Sequence, residues 1–365
     1  MSIPPAIARR FPPLSRETSV AIEAATAAIA GFDRGSGTHL APLSGFLLRS
    51  ESIATSKIER IAADPNDLAR ALVGLEAGRA AEQTAAALRA VNELVVHAGS
   101  GAITLDAIND SHRVLMTGDR FEGHEAGRTR RVQNWIGGSD FTPRGAVHVP
   151  PPPDLVDPLL ADLVNFANRV DVPTVAQAAI THAQFESIHP FTDGNGRIGR
   201  ALINAVLRRR GLTIRVVVPI ASVMLANVDG YFAQLDAYRA GDANEFVRYL
   251  ADASVIASEE AVTSGDVLAA LPSAWRDRVP ARKGSATDRL LERLLEAPVL
   301  TDRTAAALAG SSVRRIYDAL DRLTDANVLD EITGKRRDRI WVVGDVLDEL
   351  DRLEERIGRR RRPSP

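Results

Sequence analysis

The stretch that decides the fold spans residues 189–200 and reads HPFTDGNGRIGR. Residues 175–188 before it place apolar side chains at helical spacing, which predicts a helix. Pro190 disfavours the α conformation at the residue before it, so this helix should end there. A second helix is predicted over 196–210, because Gly211 is a typical glycine after a helix C-terminus. The stretch is therefore a tight turn between two helices.

The chemistry of this turn suits a phosphate-bearing ligand. Gly194 and Gly196 flank Asn195 and let the main chain approach a ligand closely. The second helix starts directly after them, so its free N–H groups and positive dipole end point into the turn. Arg197 and Arg200 are three residues apart and share one face of the first helical turn. Two guanidinium groups beside a helix N-terminus favour a polyphosphate over a single carboxylate.

Two titratable side chains complete the candidate site. His189 follows the first helix, and an imidazole titrates near working pH, which suits a general base for a hydroxyl nucleophile. Asp193 can hold Mg²⁺, an ion that commonly takes one or two carboxylates and fills its shell with phosphate oxygens and water. Phe191 most simply anchors the turn to the core. The sequence contains no GxxxxGK(S/T) pattern, so the common phosphate-loop fold is not supported.

At every specified position the stretch resembles the Fic motif, HPFx(D/E)GNGRxxR. Fic proteins are mostly adenylyltransferases, which move AMP from ATP to a Ser, Thr or Tyr hydroxyl of a protein target. The resemblance makes His189 the catalytic base, places Mg²⁺ on Asp193 and the γ-phosphate on Arg200. It also implies ATP as the bound nucleotide, held by a larger set of motif residues. That set is Asp193, Gly194, Asn195, Gly196, Arg197, Ile198, Gly199 and Arg200.

A second resemblance lies upstream, where residues 52–61 read SIATSKIERI. This segment is similar to the family's inhibitory motif, (S/T)xxxE(G/N), with Thr55 and Glu59 at the marked positions. The resemblance implies that Glu59 pairs with Arg200 and occupies the place of the γ-phosphate, so that ATP binds unproductively. A carboxylate and a phosphate cannot share one guanidinium without strong repulsion. Arg60 departs from the motif, and a solvated Glu59 on an amphipathic helix is the alternative.

Residues 128–150 contain two short alternating runs around a turn rich in glycine, which predicts a β-hairpin. In Fic proteins this hairpin is the flap, which docks the target segment by strand addition. By the same resemblance, Ile136 and Gly137 lie near the nucleotide. Further along, Tyr231 and Phe232 resemble the family's aromatic pair near the adenine. A core role is the alternative for both.

Length and composition favour a mainly α protein. The 365 residues are too many for a single core, so two or three domains are expected. Aromatic residues make up only 5% while alanine and leucine are abundant, which favours helix over strand. The net charge of −2 gives no overall attraction to nucleic acid. Cysteine is absent, which fits a reducing cytoplasm, and no apolar run has the length of a signal or membrane segment.

The fold class that these patterns predict has a Fic helical core with a flap hairpin, a helical N-terminal region and a C-terminal winged helix-turn-helix. The N-terminal region includes a long helix over 67–96. The His182 and Glu186 pair on the helix before the motif has no third ligand, so we interpret it as a helix brace rather than a metal site. The expected boundaries are 1–110 for the N-terminal region, 111–264 for the core with its flap at 128–150, 265–284 for a linker, 285–358 for the winged-helix-like domain and 359–365 for a basic, solvated tail.

The C-terminal region leaves a second class of function open. A helix, a turn, a helix over 312–327 and a basic hairpin around 334–337 resemble a winged helix-turn-helix. Arg314 and Arg315 on the second helix could meet DNA phosphates, whereas a protein-interaction module is the alternative. The chain is then either a protein adenylyltransferase restrained by Glu59, or a DNA-binding regulator whose Fic core senses nucleotide. Removal of AMP, self-modification and a homodimer are further options that the family leaves open.

Overall fold

The computed structural model describes residues 1–35, 40–139, 141–334 and 338–361. Within these ranges the chain is built from α-helices and one small sheet. Helices α1 to α11 form the larger part of the molecule. They are α1 (Arg16–Gly35), α2 (Leu40–Ile58), α3 (Pro65–Leu72), α4 (Arg79–Ser100), α5 (Leu105–Met116), α6 (Val156–Ala167), α7 (Thr174–Ile188), α8 (Asn195–Arg209), α9 (Ile220–Leu225), α10 (Val228–Arg239) and α11 (Ala243–Arg278).

Helices α7 and α8 lie at the centre of the core, and both were predicted from sequence within one residue. Every residue of α7 from Val175 onward is buried, which explains why it carries no polar face. Helix α8 is buried over its first thirteen residues and packs against α4 and α7. Gly211 follows α8 with φ +69°, as expected for a glycine past a helix end. The turn between these helices is therefore held from several sides.

Two helix predictions need correction. The single helix expected over 67–96 is two helices, α3 and α4, because Gly74 takes φ +77° and Gly78 begins α4. The linker expected over 265–284 is helical as far as Arg278, since α11 runs for 36 residues through Pro272. Proline normally ends a helix. Here the following turn is fixed by tertiary contacts, as Trp275 is fully buried and donates a hydrogen bond to Asp345 Oδ2 at 2.7 Å.

The C-terminal region has the order helix, strand, two helices, two strands and a final helix. The sheet is antiparallel, and the last strand in the chain lies between the other two, with Leu300 and Glu331 both opposite Trp341. The last helix packs against α11 and α9 and continues into the segment expected to be a solvated tail. The elements are α12 (Ala286–Arg293), β1 (Val299–Thr301), α13 (Asp302–Leu308), α14 (Val313–Asp325), β2 (Asp330–Glu331), β3 (Ile340–Val342) and α15 (Gly344–Arg361).

Some predictions fall partly beyond the described ranges. The basic turn of the C-terminal hairpin includes residues 335–337, and the tail includes residues 362–365, all of which lie outside them. Arg314 and Arg315 do lie within them and are exposed on the first turn of α14. Among the described residues, no helix has the length and apolar character needed to cross a bilayer.

Candidate active site at the junction of two buried helices

His189 ends α7 in a left-handed backbone conformation. Its φ is +49°, and its N–H still donates to the carbonyl oxygen of Phe185 at 2.8 Å. The conformation turns the chain away from the helix and leaves the imidazole Nδ1 buried without a hydrogen-bond partner. Burial, reinforced by nearby positive charge, lowers the pKa of His189 to about 3. The imidazole is therefore neutral near pH 7 and able to accept a proton.

Arg130 fixes the backbone on which His189 sits. Its side chain is 2% exposed, and it donates from Nε to the carbonyl oxygen of His189 at 2.8 Å. Its Nη1 and Nη2 donate to the carbonyl oxygens of Val132 at 3.1 Å and Pro151 at 2.5 Å. Its backbone N–H donates to Pro190 at 2.8 Å. One side chain thus joins both ends of the predicted flap segment to the end of α7.

The amide of Asn195 closes the turn on itself. Its Oδ1 accepts from the N–H of Phe191 and its Nδ2 donates to the Phe191 carbonyl, both at 2.8 Å. Asn134 Nδ2 donates to the same carbonyl at 3.0 Å. Phe191 itself is fully buried, which confirms its predicted role as the anchor of the turn. Asn195 therefore shapes the loop rather than offering its side chain to a ligand.

His112 of α5 supports the turn from the other side, a role that sequence reasoning missed. Its ring stacks on Phe191 with 3.7 Å between centroids. Its Nδ1 accepts from the N–H of Gly127 at 2.9 Å, so Nε2 carries the proton and donates to the Asp193 carbonyl at 3.1 Å. Burial lowers its pKa to about 4. Nothing in the local sequence signals this contact, because the partners are 81 residues apart.

The start of α8 forms an unsatisfied cationic cradle. Gly194 precedes it with φ +78°, and the amides of the first helical turn have no intrahelical partners. Arg197 is 2% exposed, and its Nε and Nη1 are buried without hydrogen-bond partners. Its Nη2 lies 3.4 Å from Asp193 Oδ2, a carboxylate that is half exposed. An anion with several oxygens would satisfy these donors.

Arg200 is occupied by the N-terminal region. Its Nε donates to Thr55 Oγ1 at 2.6 Å and its Nη2 to Glu59 Oε1 at 2.5 Å. The arginine side chain is 1% exposed whereas that of Glu59 is 35% exposed. Burial disfavours the charge on Arg200, but the Glu59 carboxylate outweighs it and raises the pKa of Arg200. The predicted ion pair is thus present, and its acidic member faces solvent.

The glycine at position 196 makes this pair possible. A Cβ there would lie 2.0 Å from Glu59 Oε1 and 2.9 Å from both terminal nitrogens of Arg200. The carboxylate therefore lies directly against the first turn of α8. An anionic group that binds Arg200 in place of the Glu59 carboxylate would therefore also contact the N-terminus of α8.

Arg60, which replaces the glycine or asparagine of the inhibitory motif, has a backbone conformation that those two residues adopt readily. It has φ +61°, the left-handed region that favours glycine or asparagine. Its N–H donates to Lys57 and the N–H of Ile61 to Ser56, both at 2.9 Å. These two bonds form a Schellman motif that ends α2 next to Glu59. Arginine tolerates the position at a cost in backbone strain.

Three residues predicted to lie near the nucleotide also have packing roles. Ile198 is fully buried, and its N–H donates to the Gly194 carbonyl at 3.1 Å. A Cβ on Gly199 would lie 2.4 Å from Glu186 Oε1, so this glycine serves the contact between α7 and α8. Tyr231 is fully buried with its hydroxyl 3.0 Å from His182 Nε2. The core alternative is therefore favoured for Tyr231, whereas its neighbour Phe232 is 43% exposed.

The pair of His182 and Glu186 lies behind this layer and is fully buried in the core. The expected bracing hydrogen bond between the two side chains is absent, since His182 Nδ1 and Glu186 Oε1 have no partner, and His182 Nε2 instead lies 3.0 Å from the Tyr231 hydroxyl of α10. Burial raises the pKa of Glu186 to about 7 and lowers that of His182 to about 3. His182 is therefore neutral at pH 7 and Glu186 is close to half ionised, and the described residues offer the pair no third metal ligand.

The predicted flap is less regular than a hairpin. Ile136 and His148 form a single antiparallel bridge, with Ile136 donating to His148 at 2.8 Å and Val147 donating to Ile136 at 2.8 Å. Gly137 is exposed with φ +72° beside Val147. His148 Nε2 lies 3.0 Å from the Ser187 carbonyl, which ties the returning segment to α7. The two runs therefore do lie side by side, anchored to the helix that carries His189.

Comparison with known proteins agrees with this geometry. Residues 102–207 match the Fic/DOC family. The protein adenylyltransferase fic-1 of Caenorhabditis elegans is 35% identical over 170 residues, which are 46% of this chain and 30% of that protein. The protein adenylyltransferase Fic of Nematostella vectensis is 33% identical over 172 residues, which are 45% of this chain and 35% of that protein. This chain therefore spans about a third of the length of these curated relatives.

Solved structures show the same fold. A Fic family protein from Desulfovibrio desulfuricans superposes with a TM-score of 0.57 at 20% identity, over 91% of this chain and 97% of that chain. A Fic domain containing signaling protein from Bacteroides thetaiotaomicron gives a TM-score of 0.54 at 18% identity, over 66% of this chain and 97% of that chain. At these identities the likeness concerns the fold alone.

Proposed function

The chain carries a Fic/DOC domain, and from this we propose that it is a protein adenylyltransferase, transferring AMP from ATP to a Ser, Thr or Tyr hydroxyl of a protein target. The observation that carries the proposal is the pairing of a neutral imidazole with an unsatisfied cradle. His189 is free to accept a proton, and the buried Nε and Nη1 of Arg197 at the start of α8 have no hydrogen-bond partner. A triphosphate would supply the missing acceptors.

The proposed reaction uses His189 as general base. The acceptor hydroxyl oxygen bonds to the α-phosphorus while its proton passes to the imidazole. The bond from the α-phosphorus to the bridging oxygen breaks, and pyrophosphate leaves with that electron pair. The pKa of His189 is low because burial and positive neighbours disfavour the imidazolium. The negative charge of a bound triphosphate would raise it towards neutrality, where proton transfer is most effective.

Asp193 is the residue that would hold Mg²⁺. Its carboxylate is half exposed beside the phosphate cradle, with Oδ1 accepting from Gly194 and Oδ2 near Arg197. Among the described residues no group of three His, Cys, Asp or Glu side chains is arranged to hold a metal. A single carboxylate fits Mg²⁺ that takes its other ligands from phosphate and water. When bound, the ion would neutralise part of the phosphate charge.

Glu59 is proposed to restrain this activity. Its carboxylate occupies the Arg200 guanidinium, and a γ-phosphate bound there would meet a like charge at close range. We expect Glu59→Gly to raise the rate of AMP transfer about tenfold to a hundredfold, the equivalent of one charge-assisted hydrogen bond. Glu59→Gln keeps the shape without the charge and should give an intermediate rate. Equal rates in all three proteins would remove the inhibitory role.

Transfer is tested with ATP labelled at the α-phosphate, in the presence of Mg²⁺ and candidate acceptor proteins. Label should appear on protein with the native chain and vanish with His189→Ala. His124→Ala is the matched control, because His124 is an exposed histidine outside the cradle and should leave transfer unchanged. Label that persists in His189→Ala would exclude the proposed base. Salt-dependent duplex binding without any labelled protein would favour the DNA-binding regulator instead.

A further inference from the structure

A cavity of about 120 Å³ lies where the N-terminal helices meet the C-terminal region. Its walls come from α2, α3, α15 and the start of β1, far along the chain from one another. Six aliphatic side chains give the cavity its apolar character: Ile53, Leu68, Leu72, Val299, Leu347 and Leu350. An apolar cavity of about 150 Å³ in another protein binds benzene. This cavity is therefore large enough for an apolar group of five or six carbon atoms.

Arg49, a half-buried cation, lines the same cavity. Its Nε and Nη1 are buried and have no hydrogen-bond partner. Burial lowers the pKa of Arg49 to about 10, and no neighbouring acid offsets that shift. In the ranges that the structure describes, no carboxylate lies within ion-pair distance of its guanidinium. Burying a charge without a partner costs free energy. An anion bound to the Arg49 guanidinium would offset part of that cost.

The acidic side chains around the cavity do not meet this need. Glu354 is paired with Lys57, whose Nζ lies 2.7 Å from Glu354 Oε2. Asp351 belongs to the exposed face of α15. Ser50 and Ser222 are bonded to each other through their hydroxyls at 3.1 Å. The polar groups near the opening are thus satisfied or solvated, whereas the Nε and Nη1 of Arg49 are neither.

We propose that this cavity binds a small amphiphilic carboxylate, with the carboxylate on Arg49 and a short aliphatic body against the apolar walls. The planar guanidinium suits a carboxylate because it can donate two parallel hydrogen bonds. The size of the cavity limits the body to about six carbons. Since α2 forms one wall and also leads to Glu59, the ligand would lie against the helix that precedes the inhibitory glutamate.

Hexanoate is the probe for this site, with acetate and 1-hexanol as controls. Acetate has the charge without the body, and hexanol has the body without the charge. At a concentration tenfold above its Kd, hexanoate should raise the unfolding temperature of the full chain by about 2 °C. Acetate and hexanol should bind at least tenfold more weakly by calorimetric titration. Equal binding of hexanol would overturn the role of Arg49, and no binding of hexanoate would overturn the site.

Arg49→Met removes the charge while keeping a long, unbranched side chain. We expect this variant to lose hexanoate binding at least tenfold and to remain folded, because it replaces an unpaired buried cation with an apolar group. Unchanged hexanoate affinity in this variant would contradict the proposal. In the native chain, the ¹H–¹⁵N resonance of Arg49 Nε should also shift on hexanoate binding. A binding event that leaves that resonance in place would equally contradict it, even if the variant fails to fold. Binding is read directly, so its outcome does not depend on AMP transfer.

Discussion

Arg60 holds a left-handed backbone conformation next to the proposed inhibitory glutamate. A non-glycine residue with this conformation costs roughly 1 kcal/mol relative to glycine. We expect Arg60→Gly to raise the free energy of unfolding by about 1 kcal/mol, measured by urea denaturation, because the Schellman end of α2 forms without strain. Arg60→Ala separates conformation from charge, since it removes the guanidinium and keeps the Cβ. A gain of equal size with alanine would mean that backbone strain is not the cause.

Tyr231 offers a second test at the residue scale. Its hydroxyl is 3.0 Å from His182 Nε2, and both side chains are buried. Tyr231→Phe should lower the free energy of unfolding by about 1–2 kcal/mol, because a buried nitrogen loses its partner. The KM for ATP in the transfer assay should stay within about twofold, a factor equal to less than 0.5 kcal/mol. A severalfold rise in KM with unchanged stability would restore the nucleotide contact suggested by sequence resemblance.

The role of a residue could be predicted from the sequence where it depends only on the residues next to it in the chain. Pro190, Gly194 and Gly211 mark the ends of α7 and α8 through backbone rules that depend only on local chemistry. The pairing of Glu59 with Arg200 was available from a family resemblance, not from spacing. His112 and Arg130 were missed because their partners are distant in sequence, and a lone histidine or arginine carries no sign of what it will contact. Arg49 was missed for the same reason.

Among the elements, the segment that returns through Arg130 and His148 depends most on one side chain. Arg130→Gln should lower the free energy of unfolding by about 3 kcal/mol and reduce the kcat of transfer at least tenfold. The first effect follows because buried carbonyls lose charged donors, and the second because the His189 backbone loses its support. Arg131→Gln is the matched control for stability, since Arg131 is exposed. If both variants melted alike, the contacts of Arg130 would not be what holds the segment.

Helix boundaries were predicted correctly where a local glycine or proline signal agreed with the tertiary packing. The predictions were wrong where the two disagreed. Residues 67–96 read as one helix because alanine and leucine dominate, yet Gly74 and the N-cap Gly78 divide it into two. Pro272 read as the end of a helix, yet α11 continues because Trp275 is buried beyond it. Tertiary packing outweighs a local preference of a few kcal/mol, and a single sequence does not show which contacts are available.

For the whole molecule, buried titratable groups predict how stability changes with pH. Burial lowers the pKa of four histidines to between about 3 and 4, so they take up protons on unfolding below about pH 6.5. They are His112, His148, His182 and His189. Burial raises the pKa of Glu51 to about 8 and of Glu186 to about 7, so these groups release protons on unfolding in the same range. On unfolding, the four histidines gain four protons and the two glutamates release two, so the chain takes up about two protons in total.

The free energy of unfolding should therefore fall by about 3 kcal/mol per pH unit between pH 6 and pH 5. Above pH 7 the unfolded histidines are mostly neutral, so proton release from the two glutamates dominates; stability should decline between about pH 7 and pH 8 and level off once both glutamates are ionised in the folded protein. Urea denaturation at intervals of half a pH unit measures both the acid and the alkaline side of this stability profile. His148→Gln should reduce the acid slope by about one proton, whereas replacement of the exposed His97 should not. A flat profile from pH 6.5 to 5 would show that the four imidazoles are not buried as a group.

The proposed function requires the turn between α7 and α8 to bind a triphosphate beside His189 once Glu59 leaves Arg200. The most direct measurement is a crystal structure of Glu59→Gly with Mg²⁺ and an ATP analogue that cannot be cleaved at the α-phosphorus. We predict phosphates on the N-terminus of α8 and Arg197, the γ-phosphate on Arg200, and the α-phosphate beside the His189 imidazole. A nucleotide bound elsewhere, with Arg200 still held by Thr55 and the Nε and Nη1 of Arg197 still unpartnered, would contradict this binding mode.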